Sequence, residues 1–511
     1  MKFEEHFGIS ALAMIGVVLG VFMAVLDTSI VNVAIPKMMT AYSTDQSTIE
    51  WVLTIYTLTE GMLTPVSGYM GDRFGAKRMY QYALLIFVLG SALCGVAWSV
   101  SALIAFRMLQ AVGGALLMPI SMTILYSLSK PEKRGLIMGI WGIAIMFAPA
   151  FGPTLSGYIV QYFNFRLIFY INVPIGIINF FIVQASVREL PKRFVGKFDI
   201  PGFITCVGGF FCLLYALTDA STSGWLSIKI LSFFTAAAIL LTLFVVFELT
   251  TDHPMVELRL FKIPSFLVCS ISVFCMSVAM MGILFLLPIF LQNILGFSPL
   301  QTGLLMMPGA LLTAVLMPIS GTLFDKFGAK PLAITGVSIM LTATLCFVNL
   351  NFNWTYGAIM AVYILRSAGM GLSMMPMSTA GLSSVPLHLV NRGSALQNTL
   401  RNLASAVGVA ILGSVLTTHS NFSFASYMQN VSVQSLQRIT AYGLHPSVYG
   451  ITNPSDMTRI MTTLKQLAFE NGVHEALIVA VFTATISLTL AFAIPGKKKS
   501  VTSKEESVAF H

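Results

Sequence analysis

Two acidic side chains, Asp27 and Glu60, lie well inside stretches of the chain that otherwise carry almost no charge. A carboxyl group in apolar surroundings is costly unless it is paired or protonated, so each is a candidate for carrying a proton or contacting a cation. Arg107 and Arg366 are the basic residues placed in the same way, and Arg401 lies nearer an end of its stretch. The other acids sort to the edges, with Asp72, Glu248 and Asp325 at one set of ends and Asp45, Glu50 and Asp219 at the other. No Gly-x-x-x-x-Gly-Lys-Ser/Thr run is present to cradle nucleotide phosphates. Work done by this chain would therefore draw on an ion gradient, and no cofactor is expected. The six cysteines (Cys94, Cys206, Cys212, Cys269, Cys275 and Cys346) all sit in apolar runs without a CxxC pair or a histidine cluster. They read as small apolar side chains, so neither a metal site nor enzymatic chemistry is expected.

The elements that position these charges follow from composition. The chain has 511 residues, of which 56% are hydrophobic and 10% charged. A soluble domain carries roughly 25% charged residues, so lipid must be the solvent here. A spanning helix needs about 20 mostly apolar residues. Such runs fall approximately at 12–36, 51–71, 80–99, 101–125, 136–160, 167–187, 200–219, 228–249, 265–292, 300–322, 332–351, 356–380, 394–417 and 474–494. The first is too long for a signal-peptide core and ends without a small-residue cleavage site, so it is expected to remain as a span. The fold class is thus an all-α polytopic membrane protein with fourteen transmembrane helices.

The net charge of +9 is sorted by loop. Alternate loops collect Arg73, Lys77, Arg78, Lys130, Lys133, Arg134, Arg188, Lys192, Arg193, Lys197, Arg259, Lys262, Lys326, Lys330, Arg392 and Lys497 to Lys499, against Lys37, Arg166 and Lys229 in the short loops between. Basic loops stay cytoplasmic, which places both termini there. This sorting makes the charge a topology signal with a minor role at anionic lipid, and argues against nucleic acid as a partner. One outer segment is long, about 418–473. In it Asn453-Pro454-Ser455-Asp456 is suited to cap an amphipathic helix over Met457–Phe469, read as a helix on the outer face, with a substrate lid as the other reading.

The chain repeats itself. Pro65-Val66-Ser67-Gly68-Tyr69-Met70-Gly71-Asp72-Arg73-Phe74-Gly75-Ala76-Lys77 matches Pro318-Ile319-Ser320-Gly321-Thr322-Leu323-Phe324-Asp325-Lys326-Phe327-Gly328-Ala329-Lys330, each copy at the basic end of its half's second helix. A weaker echo links Gly114–Pro119 with Gly371–Pro376. Two six-helix halves follow, residues 1–190 and 261–511, with two inserted helices at 191–260. Paired repeats are a common plan for secondary transporters.

The doubled Gly-x-x-x-Asp-Arg-x-Gly-x-Lys loop resembles the loop between helices two and three of the major facilitator superfamily. Further segments resemble its fourteen-helix drug:proton antiporters, the EmrB/QacA-type multidrug exporters. These are Leu26-Asp27-Thr28-Ser29-Ile30-Val31-Asn32-Val33-Ala34-Ile35-Pro36, Arg107-Met108-Leu109-Gln110-Ala111-Val112-Gly113-Gly114, Phe169–Gly176 and Gln397–Arg401. Ala148–Gly157 resembles the antiporter motif of helix five, with Pro149, Gly152, Pro153 and Gly157 in place and Ser156 where glycine is usual. The resemblance implies proton-driven export of lipophilic or cationic compounds from a bacterial cell, across the plasma membrane. It makes Gly68, Asp72, Arg73, Gly75, Lys77 and Asp325 residues of a conformational gate.

At a helical rise of about 1.5 Å per residue, Asp27, Glu60, Arg107 and Arg366 all fall roughly 9 to 15 Å below the outer surface. Charges at one depth can meet. Asp27 is expected to pair with Arg107 in one state and to bind a proton in another. Glu60 departs from the family pattern, and contact with a cationic substrate, a second proton site and a structural carboxylate all stand open for it. Arg366 either shares that role or locks helix twelve to a neighbour. The 29 methionines and 38 phenylalanines suit a greasy, adaptable cavity, although most will face lipid or other helices. A monomer acting on amphiphilic or cationic small molecules is the leading expectation. The second is an exporter or flippase of a physiological metabolite or lipid, and the third a membrane sensor without transport, which leaves the repeats and buried charges unexplained.

Overall fold

The computed structural model describes residues 4, 7–190, 199–251, 254–351, 354–430 and 457–496. Among them the secondary structure is helical throughout. The long helices are α1 (Ala11–Tyr42), α2 (51–74), α3 (Ala76–Val96), α4 (Val100–Leu128), α5 (Arg134–Tyr162), α6 (Leu167–Ser186) and α7 (Ile200–Ser223). They continue as α8 (Ile228–Thr250), α9 (Pro264–Asn293), α10 (Pro299–Phe327), α11 (Ala329–Val348), α12 (Tyr356–Ser383), α13 (Val390–Asn430) and α14 (Met457–Ala493). Among the described residues twelve helices are long and apolar enough to cross a membrane, or thirteen if the bent α5 counts as one span. The α2 stretch is divided by a 3-10 turn at Thr64–Val66, where Pro65 has no N–H to give the helical ladder.

Local chemistry sets the boundaries. Ser10, Ser99, Ser227 and Thr355 each accept a backbone N–H at the start of α1, α4, α8 and α12, and Asp199 does so for α7. Ser298 and Gln301 form a reciprocal capping box on α10, with Pro299 at its first position. The reversals α2–α3 and α10–α11 turn on Gly75 (φ 91°) and Gly328 (φ 83°), the matching glycines of the repeat, in a region that disfavours any Cβ.

Helices α1 to α6 pack as one group and α9 to α14 as another. The groups meet where α5 lies along α10 and where α13 contacts α2 and α4. The repeat's first glycines build both crossings. A Cβ on Gly68 would meet the Arg392 Cα at 2.9 Å, and Gly321 lies against the Gly135 backbone. Helices α7 and α8 pair with each other, and α7 also packs against α2 and α13.

The outer segment differs from the sequence expectation of a loop over about 418–473. Helix α13 runs on to Asn430 and α14 begins at Met457, so both are far longer than the ~30 Å apolar slab requires. Asn471 Nδ2 donates to Tyr427 Oη at 2.5 Å and Gly472 packs on Leu416 and Ser420, so the two form a hairpin in place of a separate surface helix. The polar residues there lower the hydropathy without breaking the helix. The expected cap at Asn453–Asp456 and the basic residues Lys192, Arg193, Lys197 and Lys497 to Lys499 lie outside the described residues.

Candidate functional site

A polar side chain buried among apolar helices must find partners, and Asp27 has them on two other helices. Arg107 Nη1 of α4 donates to Oδ2 of Asp27. Gln110 Nε2 of α4 and Asn172 Nδ2 of α6 both donate to Oδ1 at 2.9 Å. The same two amides donate to Ser91 Oγ of α3 at 3.1 and 3.0 Å, and Ser91 in turn donates to the Phe169 carbonyl at 2.8 Å. Arg107 also donates to Gln110 Oε1 at 2.7 Å and to the Val52 carbonyl at 3.4 Å. Its guanidinium stands 4.3 Å from the Tyr56 ring centroid, over α2. Asp27, Ser91, Arg107 and Gln110 are each 0% exposed. The pair is therefore sealed from both sides in this conformation, and a proton could reach Asp27 only after a rearrangement.

Glu60 is partly buried on α2 and makes no contact ion pair among the described residues. The cation acting on it most strongly is Arg401 of α13, ahead of Arg107. Arg401 donates to Asn398 Oδ1 at 2.5 Å and to Met118 Sδ at 3.1 Å, and lies 5.7 Å from the Trp141 ring centroid. With Met122, Met374, Met375, Gln397 and Asn398 it lines a cavity of about 10 Å³, room for about one water. Asn402 Nδ2 reaches back to Thr64 Oγ1 at 3.2 Å. The Glu60–Arg401 level thus joins the two halves, whereas Asp27 and Arg107 belong to the first half alone.

Arg366 of α12 turns into the second half, where Nη2 donates to the carbonyls of Ala279 and Met280 in α9 at 3.2 and 3.3 Å. Of the four charges expected at one depth, the structure brings Asp27 and Arg107 into contact. It gives Glu60 a different neighbour and ties Arg366 to backbone.

The repeated loops close the basic end in matching ways. Asp72 accepts from Asn391 Nδ2 at 2.5 Å and from Arg392 Nε at 3.1 Å, at the start of α13. Asp325 accepts from the backbone N–H groups of Gly135 and Leu136 at 2.8 and 3.1 Å, at the start of α5. Asp325 thus sits on the N-terminal N–H groups of α5, where the helix dipole favours an anion, whereas Asp72 is held by two side chains of the first turn of α13. Thr123 and Ser394 add a hydroxyl–hydroxyl contact of 2.6 Å between the halves. Arg73 does not take part as expected. It is exposed and donates to Tyr69 Oη at 2.7 Å within its own helix, so the cross-half cation is Arg392. Lys77 also stays within the first half, bonding Gln184 O at 2.7 Å, and its N–H meets Glu189.

Helix α5 bends by 42° between its Pro131–Pro149 and Thr154–Tyr162 parts, as expected where Pro149 and Pro153 remove two N–H groups. Gly152 lets α1 approach, since a Cβ there would collide with Ser29 Oγ. Gly157 has open space around it, so close packing does not explain it. The side chain of Pro153 lies outside the described residues.

Sequence reasoning missed Asn172 and Gln110 as partners of Asp27 and Ser91 as the hydroxyl that holds both amides, and underrated Arg401. Gln110 carries a signal, standing one helical turn from Arg107. Ser91 and Asn172 are ordinary polar interruptions until the fold brings them together.

Two bundles of six helices, related by a repeated loop and with buried charges between helices, define a membrane transporter of the two-half kind. The Major Facilitator Superfamily profile matches residues 17–409. The chain belongs to that family. It is 40% identical over 417 residues to the uncharacterized MFS-type transporter YhcA of Bacillus subtilis, covering 81% of this chain and 78% of that one. It is 30% identical to the lincomycin resistance protein LmrB of the same organism, over 94% of each chain. The fold is shared with the proton:xylose symporter XylE at a TM-score of 0.61 and 14% identity, over 95% of this chain and 96% of that one.

Proposed function

We propose that this transporter is a proton-coupled exporter of lipophilic or cationic drugs, working by alternating access in a bacterial plasma membrane with its basic end in the cytoplasm. The observation that carries the reading is Asp27, a carboxylate 0% exposed and held by an arginine and two amides. Replacing a whole buried pair of this kind with apolar residues is often neutral or stabilising, so stability does not account for the pair, and the carboxylate is suited to trade its arginine for a proton. Relatives named as resistance proteins, LmrB and the multidrug resistance protein Stp of Mycobacterium tuberculosis, support drugs as the substrate class. A wholly apolar groove of about 230 Å³ between α1 and α5, lined by Met14, Phe22, Ile140 and Phe147 among others, suits lipophilic compounds arriving from the bilayer.

The test is a panel of fluorescent drugs in cells or inside-out vesicles, with wild type beside Asp27→Asn. Gradient-dependent efflux by wild type and its loss in the variant are expected. Unchanged efflux by Asp27→Asn would remove Asp27 as the proton site. No drug efflux at all, with lipid movement in proteoliposomes, would favour a lipid exporter.

A further inference from the structure

We infer that the inserted pair, α7 and α8, is a working part of the gate at the basic end: Glu257, in the segment leaving α8, positions Arg392 on Asp72. The inference rests on the alternating access proposed above and assigns the insert a part in it.

Arg392 is held from two sides. Its Nε meets Asp72 Oδ2 of the first half at 3.1 Å, and its Nη1 meets Glu257 Oε2 at 3.3 Å. The side chains are 2% exposed for Asp72, 11% for Arg392 and 12% for Glu257, so water screens the group only partly. A guanidinium is a planar fork, and anchoring one edge on Glu257 fixes the direction in which the other edge points. Glu257 therefore removes rotamer freedom that Arg392 would otherwise lose on closing the gate.

A second, independent observation places the insert there. One apolar cluster joins Val66 and Tyr69 of α2, Cys206 of α7, Phe244 of α8, Met255, Val256 and Leu260 of the connecting segment, and Leu396 of α13. The segment bearing Glu257 is thus packed into the seam between the halves, with Met255 and Val256 at 0% and 3% exposure. Helix α7 flanks the same seam further along, where Gly61 of α2 lets Leu214 approach. Glu248 of α8, 1% exposed, turns toward the backbone of Met255 and Val256 and ties α8 to the segment that bears Glu257. Glu257 of the insert and Asp72 of the first half thus flank the cation that bridges the two halves.

The test is pulsed electron-electron spin resonance between labels at the exposed Glu132 and Ser383, one on each half at the basic end. The full-length protein in nanodiscs is used, with its six cysteines replaced. A partly screened charged contact is worth up to about 1 kcal/mol, so Glu257→Gln should raise the ratio of long to short distances about two- to fivefold. Glu257→Asp should restore most of the short population, which a lost fold would not. In an Arg392→Gln background the further change Glu257→Gln should have little effect, because Glu257 acts through Arg392. An unchanged distribution in Glu257→Gln, or effects that simply add, would overturn the inference while leaving alternating access standing. Wild-type distances that never respond to drug or pH would overturn alternating access and this inference with it.

Discussion

Replacing Asp27 with asparagine separates two things that Arg107 and Asp27 do together. In Asp27→Asn the carbonyl oxygen still accepts from Gln110 and Asn172, but the oxygen facing Arg107 becomes an NH₂ opposite another donor. Arg107, 0% exposed, then keeps its charge without an acid at contact distance. Breaking one side of a buried pair costs about 3–5 kcal/mol, whereas removing both charges is often near neutral. The double variant Asp27→Asn/Arg107→Gln should therefore recover most of the stability lost by Asp27→Asn alone. It should recover none of the gradient-driven efflux, because the titratable group is still absent. Thermal unfolding in detergent measures the first quantity and drug efflux from vesicles the second. If Asp27→Asn unfolds like wild type, the pair does not contribute as reasoned. If the double variant regains gradient-driven efflux, Asp27 carries structure and not the proton.

Four further outcomes follow from the geometry. Gly321→Leu should abolish transport with membrane expression retained, since Gly321 lies on the Gly135 backbone; Gly157→Ala, in open space, should stay within about 0.5 kcal/mol of wild type in thermal unfolding and transport normally. Glu60→Gln should weaken efflux of cations more than of neutral drugs in a vesicle assay; equal loss of both would mark Glu60 as a second proton site, and retention of both a structural carboxylate. Asp325→Asn should cost about 0.5–2 kcal/mol in thermal unfolding, the range for a helix N-terminal partner, and leave the α5–α10 crossing looser to cysteine labelling; an unchanged melt would show that the N-terminal contact with Gly135 and Leu136 is dispensable.

The spans were legible because lipid demands long apolar runs, and the repeat was legible because each copy needs the same glycines to turn and to let the halves cross. Asp27 and Arg107 stood out by charge in apolar surroundings, and the depth estimate brought them together. Depth alone could not say which face of a helix a residue takes, so Arg366 was set beside charges from which its bonds turn away, and Arg401 was undervalued. Arg392 is separated from Asp72 by 320 residues, and no local pattern announces that contact. The helix expected over Met457–Phe469 is present as the start of α14, but its continuity with the span and the extension of α13 to Asn430 are hidden from hydropathy, which registers where a helix leaves the membrane, not where it ends. The insert's place at the seam was equally hidden, being decided by packing of Met255, Val256 and Leu260 against α2 and α13.

The central claim is that Asp27 carries the proton exchanged for drug. Its most direct test is proton movement by purified transporter in proteoliposomes preloaded with a pH-sensitive dye, on adding a substrate from the efflux panel with no imposed gradient. Wild type should move protons opposite to the drug, and Asp27→Asn should move drug down its gradient with no accompanying proton signal. Drug-driven proton movement that persists in Asp27→Asn would contradict the account.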